Sequence, residues 1–374
     1  MKLSKHIISA SIYIVIMIAI CIYSGITFLQ IRELEELYPS ESLTEVKMLS
    51  DYFPGLAGTN GDTEVYIFKG QKEGGSCLVL GGTHGNELGS YMAGITLLEN
   101  VKVDQGTLYV IPRTNRSGLT CNDPGDAAPD RVHIETKSGI RWFKYGSRAS
   151  NPIDQWPDPD AYIHAASGQT LSGSEVRNIN RAYPGRPDGS FTEKIAYGVA
   201  ELIRTENIDM TIDLHEASPE YPNIDSTVAH EKAMPVASVG IMNMMMNGVN
   251  IKLEPSPKNL HGLTHRELGD YTDTLPLLME TCNAAQGRCR GATNEHLAVT
   301  GQDKCYEILV DYGLLYVPYD ENGHPLEERV GRHLQGIIDY TKAFGKVNPD
   351  KPIVISNIPT YKELMSGSLG NYLA

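Results

Sequence analysis

The apolar positions of this chain follow two regimes. Residues 7–29 are almost continuously apolar and contain no Asp, Glu, Lys or Arg. A helix of that length, at 1.5 Å per residue, covers the roughly 30 Å hydrocarbon core of a bilayer. Lys2 and Lys5 precede the run, and Arg32, Glu33, Glu35 and Glu36 follow it. The positive-inside rule then puts the N-terminus in the cytoplasm and the rest of the chain outside, a single-pass arrangement at the cell membrane. A cleaved signal peptide, giving a secreted protein, is the alternative. The run is long for a signal h-region and lacks an obvious small-residue cleavage site, which favours an uncleaved anchor.

From residue 64 the pattern changes to short apolar runs alternating with segments of helical period. Strands are predicted at 65–68, 77–80, 106–111, 208–214 and 275–279. Helices are predicted at 30–37, 88–98, 192–204, 233–247, 295–312 and 330–344. The methionines between 242 and 246 are read as core. This alternation predicts an α/β fold with a mostly parallel, mixed central sheet and helices on both faces. Residues 113–180 are rich in Pro, Gly, Asp, Asn and Arg and show little periodicity, and so long an irregular stretch is usually functional. The chain divides into an anchor (1–29), a linker (30–60), a catalytic domain (61–312) and a C-terminal extension or completion of that domain (313–374).

Composition narrows the function classes. With 374 residues, 41% hydrophobic and 21% charged, the chain is long enough to bury a large core. Its formal charge of −14 disfavours a nucleic-acid partner. Six cysteines are too few for a disulfide scaffold. Cys282 and Cys289 form the best candidate pair, and no disulfide at all is equally open. Cys77 sits in an apolar run and reads as a buried thiol.

Three short motifs stand just after predicted strands, where open α/β sheets place their ligands. The first is Gly81-Gly82-Thr83-His84-Gly85-Asn86-Glu87. Its H-x-x-E spacing at a helix start lets an imidazole and a carboxylate converge on one ion. The second, Thr211-Ile212-Asp213-Leu214-His215-Glu216, presents His215 at a strand end, with Asp213 or Glu216 available to orient it. The third, Leu277-Leu278-Met279-Glu280-Thr281, delivers a lone carboxylate. Each alone is ordinary: a lone His is usually structural and a lone acid usually a cap. Together, two His and one Glu make a catalytic zinc set with one position open for water. Neither H-E-x-x-H nor G-x-S-x-G occurs.

These residues resemble the M14-type zinc carboxypeptidase superfamily, and within it the succinylglutamate desuccinylase/aspartoacylase branch. The likeness lies in His84-Gly85-Asn86-Glu87, Asn178-Ile179-Asn180-Arg181-Ala182-Tyr183-Pro184-Gly185, Asp213-Leu214-His215 and Glu280, over roughly residues 64–310. It implies a carboxypeptidase-like fold and one Zn2+ per chain held by His84, Glu87 and His215. It further implies Glu280 as base and proton shuttle, and Asn180 with Arg181 as the clamp for a substrate carboxylate. The family commonly has Asp two residues before that Asn; here Asn178 stands there. Two arginines compete to polarise the scissile carbonyl, Arg177, four before Arg181, and Arg148, in the irregular segment; the role is given to Arg177. His261-Gly262-Leu263-Thr264-His265-Arg266 reads as pocket lining or as a plain loop. Trp156-Pro157-Asp158-Pro159-Asp160 with Tyr162 reads as a specificity wall or as a structural turn.

The expected function is a membrane-anchored zinc hydrolase cleaving an amide bond near a free carboxylate. Its substrate would be an N-acyl amino acid or, alternatively, a peptide such as a cell-wall stem peptide. A non-catalytic zinc- or ligand-binding ectodomain is the reading from a different class.

Overall fold

The computed structural model of the protein describes residues 4–123 and 128–374; Lys2 lies outside the described residues. The chain opens with α1 (Lys5–Gln30), capped by the Ser4 side chain. None of its residues is buried, so its isoleucines face outward all round. It is long and apolar enough to cross a membrane.

The helix expected at 30–37 does not form, because α1 stops at Gln30 and the following residues are committed to the domain. Glu35 is buried, its carboxylate accepting from the Tyr91 hydroxyl and facing Arg113 at 3.6 Å. Leu34 and Leu37 pack on the main core. These tertiary contacts outweigh the local helical preference. Further along the stretch read as a linker, β1 (Glu45–Met48) pairs antiparallel with β2 (Glu64–Lys69).

The order then runs β3 (Lys72–Leu80), α2 (Leu88–Asn100), β4 (Lys102–Ile111), the hairpin β5 (Arg131–Thr136) and β6 (Gly139–Lys144), and the short pair β7 (Ala161–Ile163) and β8 (Thr170–Ser172). After these come α3 (Phe191–Glu206), β9 (Met210–Ala217), β10 (Ser226–Ala229), α4 (Met234–Met246), β11 (Lys252–Pro255), α5 (Thr264–Tyr271) and β12 (Leu275–Cys282). The chain closes with α6 (Glu295–Thr300), α7 (Lys304–Val310), α8 (Leu326–Val347), β13 (Val354–Ser356) and α9 (Tyr361–Met365).

Among the described residues one sheet has nine strands, ordered β1-β2-β4-β3-β9-β12-β10-β11, with β13 pairing β4. Its centre, β4-β3-β9-β12, is parallel, while β2, β10 and β13 join it antiparallel. The central strands read as continuous apolar runs because both faces are covered. Cys77, Val79, Ile212 and Met279 face α2, α4 and α8, whereas Leu78, Leu80 and Ile111 face α3. Helix α8 lies in residues 313–374 and packs against α2 and α4.

The helix expected at 295–312 is two helices, broken at Gly301 in the left-handed region (φ 65) and restarted by the Asp303 cap. Among the methionines of α4, Met244 is buried but Met242, Met245 and Met246 are exposed. Cys282 is buried against Ile224 and Val317 and Cys289 is exposed, so both remain free thiols.

Candidate active site

The carboxyl edge of the parallel centre gathers the three motifs. Strand β3 ends at Leu80, and the chain turns through Gly82 at φ 59, where a Cβ would sit 2.7 Å from the Pro112 carbonyl oxygen. Glycine is therefore required at the turn that aims His84 into the site. Glu87, at the N-cap position of α2, follows three residues later. On the next strands, His215 of β9 and Glu280 of β12 are direct partners in the parallel register.

His84, Glu87 and His215 are buried and converge. His84 Nδ1 lies 2.6 Å from Glu87 Oε1, and His215 Nδ1 lies 3.0 Å from Glu87 Oε2. One donor atom from each lies within 4.8 Å of the others, so the group could hold a metal ion.

The far side of each ring is fixed. His84 Nε2 donates to Asn178 Oδ1 at 2.9 Å, and His215 Nε2 donates to Asp213 Oδ2 at 2.8 Å. These assignments place both Nδ1 lone pairs towards Glu87 and leave the inner faces for a cation. Of the two acids flanking His215, Asp213 orients the ring and is itself held by the Thr83 and Thr264 hydroxyls, each at 2.7 Å. Glu216 instead accepts from Gly89 N, Asn283 Nδ2 and Arg329 Nη1, tying the first turn of α2 to α8.

Asn178 keeps an acceptor where the sequence pattern commonly has a carboxylate. Its Oδ1 also takes the Asn180 N–H at 3.0 Å, while its Nδ2 donates to Glu175 Oε2 at 2.7 Å. Glu175 thereby sets which end of the amide faces His84.

The electrostatics favour a positive charge at the centre. Burial pushes the His84 pKa down to about 4, helped by the Arg148 cation. Burial opposes charge on His215 too, but Asp213 and Glu87 outweigh it and raise that ring well above the usual histidine range. Glu87 is likewise opposed by burial, yet the two imidazoles hold its carboxyl well below the ordinary value. With no cation at the centre, His215 would have to carry a proton on both nitrogens to balance the buried Glu87 and Asp213 carboxylates. A divalent cation bound by both Nδ1 atoms and Glu87 fits that donor set and charge balance.

Glu280 lines the same cavity as the group. Burial pushes its pKa up to about 8, with the Glu87 charge adding to the rise and His215 and Arg148 opposing it. Its Oε2 is buried with no hydrogen-bond partner among the described residues.

The cavity in front of the group measures about 390 Å³ and is lined by Arg148, Asn180, Arg181, Glu280, Tyr221 and Arg288, among others. Arg181 is buried enough to lower its pKa, with Arg148 adding to that effect. Asn180 Oδ1 accepts from Thr264 N at 3.0 Å, which fixes its amide.

The two competing arginines separate clearly. Arg177 does not line this cavity. Its Nε and Nη2 grip Asp158 at 2.7 and 2.9 Å, and its Nη1 holds the Ser150 carbonyl at 2.8 Å. All three bonds pull it into the loop framework. Arg148 Nη1 lies 3.2 Å from His84 Nδ1 and 3.3 Å from Glu87 Oε1.

Trp156, Tyr162, His261 and His265 are also absent from the lining, although Leu260 and Leu263 contribute to it. Tyr162 donates to the Arg181 carbonyl from behind, at 3.3 Å. Sequence reasoning missed Glu175, Tyr221 and Arg288. Glu175 stands three before Asn178, but nothing in that spacing marks it.

No protein-family model matches the chain, and no curated protein matches it. Among solved structures, a succinylglutamate desuccinylase from a Silicibacter species is 17% identical, with 70% of this chain and 64% of that one covered at a TM-score of 0.37. A carboxypeptidase A-like protein of Shewanella denitrificans is 12% identical, covering 82% and 65% at 0.45. The cell shape determinant Csd4 of Helicobacter pylori, with a tripeptide bound, is 12% identical, covering 81% and 59% at 0.44. The matched region spans 59–65% of those chains.

Proposed function

We propose that the protein is a zinc-dependent hydrolase that cleaves an amide bond beside a free carboxylate. The observation that carries this reading is the convergence of His84, Glu87 and His215 on a cavity shared with Glu280, whose Oε2 has no hydrogen-bond partner among the described residues. Zinc held by these three residues would supply Lewis acidity and lower the pKa of water towards about 7.

The remaining work belongs to the chain's own groups. Asn180 and Arg181 hold the free carboxylate of the substrate, Arg181 through a planar pair of donors that lysine lacks. Glu280 Oε2 takes a proton from the attacking water and returns it to the leaving amine nitrogen. Arg148 donates to the scissile carbonyl oxygen as negative charge develops there.

The substrate class is an N-acyl amino acid. Peptides, cell-wall stem peptides included, are the second reading, which a specific observation favours. A further cavity of about 400 Å³ lies beyond Arg148 and shares Arg148, Glu175 and Gln286 with the first. A substrate extending past the scissile bond has room there. The N-terminal helix α1 anchors the chain in the cell membrane, with the catalytic domain outside; its length and apolar surface support this.

Glu280→Gln tests the catalytic reading. The variant should bind zinc as the parent does and lose turnover on a panel of N-acyl amino acids and peptides with free carboxylates. A parent chain with no turnover on that panel, whose ligand affinity the variant keeps, would favour the non-catalytic ectodomain instead.

A further inference from the structure

The junction between α1 and the domain is built from cations meeting the end of a helix. Arg131 and Lys144, directly opposed at the base of the β5–β6 hairpin, both reach the C-terminal turn of α1. Arg131 Nη2 donates to the Gln30 carbonyl at 3.4 Å, and Lys144 Nζ donates to that of Ile31. Positive charge at a helix C-terminus is favoured by the helix dipole and by the unpaired carbonyls.

The contact continues for several residues. Arg141 Nη2 donates to the Glu36 carbonyl at 3.0 Å, and Arg113 faces the buried Glu35. Residues 30–36 are therefore clamped to the domain and do not form a free tether.

Helix length then fixes the height of the hairpin. The 26 residues of α1 span about 39 Å, more than the roughly 30 Å hydrocarbon core. Its last turn consequently lies in the headgroup layer. The Arg131 guanidinium that touches Gln30 also stacks on Trp142, 4.5 Å from the ring centroid. Trp142 is thereby held beside the end of the helix, at the level where aromatic and basic side chains anchor membrane proteins. The outer face of the hairpin also presents Ile140, 74% exposed. Its acidic member is the exposed Glu135; beside it Glu295 of α6 pairs with His133 at 3.0 Å, and Asp130, just before the hairpin, accepts from Arg131 Nε at 2.9 Å.

We infer that the Arg131–Trp142 pair is a membrane-interface contact, seated among phospholipid headgroups of the leaflet from which α1 emerges. Arg131 offers its remaining donors to lipid phosphate, and the Trp142 ring lies at the boundary with the acyl chains. The pair and the clamp together fix the catalytic domain in one orientation above the bilayer. This inference rests on the reading of α1 as a membrane anchor.

The chain has two tryptophans, Trp142 and Trp156. Trp156→Phe, at an exposed position outside the catalytic cavity, leaves Trp142 as the reporter. The full chain carrying this change is reconstituted into phosphatidylcholine/phosphatidylglycerol vesicles with brominated acyl chains. The expected result is loss of Trp142 emission, greater with bromines near the headgroup end than near the methyl end. The reciprocal Trp142→Phe variant should lose the quenching. Unquenched emission from Trp142, or quenching that survives in Trp142→Phe, would overturn the inference. Alkaline carbonate extraction separates the two readings. A chain released from the vesicles refutes anchor and contact together, whereas a retained but unquenched chain refutes the contact alone.

Discussion

Replacing Arg148 and Arg177 in parallel separates a residue facing the reacting bond from one holding the loops that frame it. Arg148 places Nη1 within 3.3 Å of both Glu87 and His84, at the mouth of the ligand group. Its side chain is 39% exposed, so its pairing with Glu87 adds little to stability. Loss of a donor to a developing oxyanion costs about 10²–10³ in kcat, or about 2.7–4 kcal/mol. Arg148→Ala should therefore lower kcat by that factor and leave Tm nearly unchanged.

Arg177 has the opposite profile. Its side chain is 14% exposed and makes three hydrogen bonds, two of them to the Asp158 carboxylate. Charge-assisted bonds of this kind contribute about 1.5–3 kcal/mol, and partial exposure places this site at the lower end. Arg177→Ala should lower Tm by a few degrees and change kcat by less than about threefold. Steady-state hydrolysis of a substrate accepted by the parent, with thermal unfolding of each variant, provides the readout. A large fall in kcat for Arg177→Ala at constant Tm, with Arg148→Ala active, would refute the assignment.

Two further outcomes follow from the same geometry. Glu175→Ala frees the Asn178 amide to turn, so zinc affinity measured by titration should fall by about 10–100-fold with little change in Tm; unchanged affinity would remove Glu175 from the support of His84. His265 and His333 are both pushed down to about 3, chiefly by burial, so the unfolded chain binds more protons than the folded one below the ordinary histidine value of 6.5. Each should cost about 1.4 kcal/mol of stability per pH unit as pH falls below that value, with no cost above it. Urea unfolding at pH 7 and pH 5 checks this, and His333→Gln should flatten the dependence.

Much of the site was legible because its signals are local. A glycine pair ending an apolar run, followed by H-x-x-E, describes strand, turn and helix start within a few residues. His215 and Glu280 could be placed at strand ends from periodicity, but their pairing required β9 and β12 to be neighbours, which no local pattern encodes.

The placement of the two arginines was hidden for a related reason. Nearness in sequence to Arg181 favoured Arg177, whereas the irregular segment folds so that Asp158 captures Arg177 and Arg148 reaches Glu87. The break at Gly301 was readable, since glycine followed by Asp303 combines a left-handed stop with a new cap. The loss of a helix at 30–37 was not, because it depends on Arg113 and Tyr91 reaching Glu35 from distant strands and helices. The short strands β1, β10, β11 and β13 escaped notice because each has only three or four residues, too few to show a period.

The most direct test of the central claim is the metal content of the purified full-length chain against His215→Ala. His215 supplies one of three donors and is oriented by Asp213, so its removal leaves two ligands. The account predicts about one zinc per parent chain and none retained by the variant, with both proteins folded. A parent chain that binds no zinc when zinc is supplied, or a variant that binds it equally well, would contradict the account.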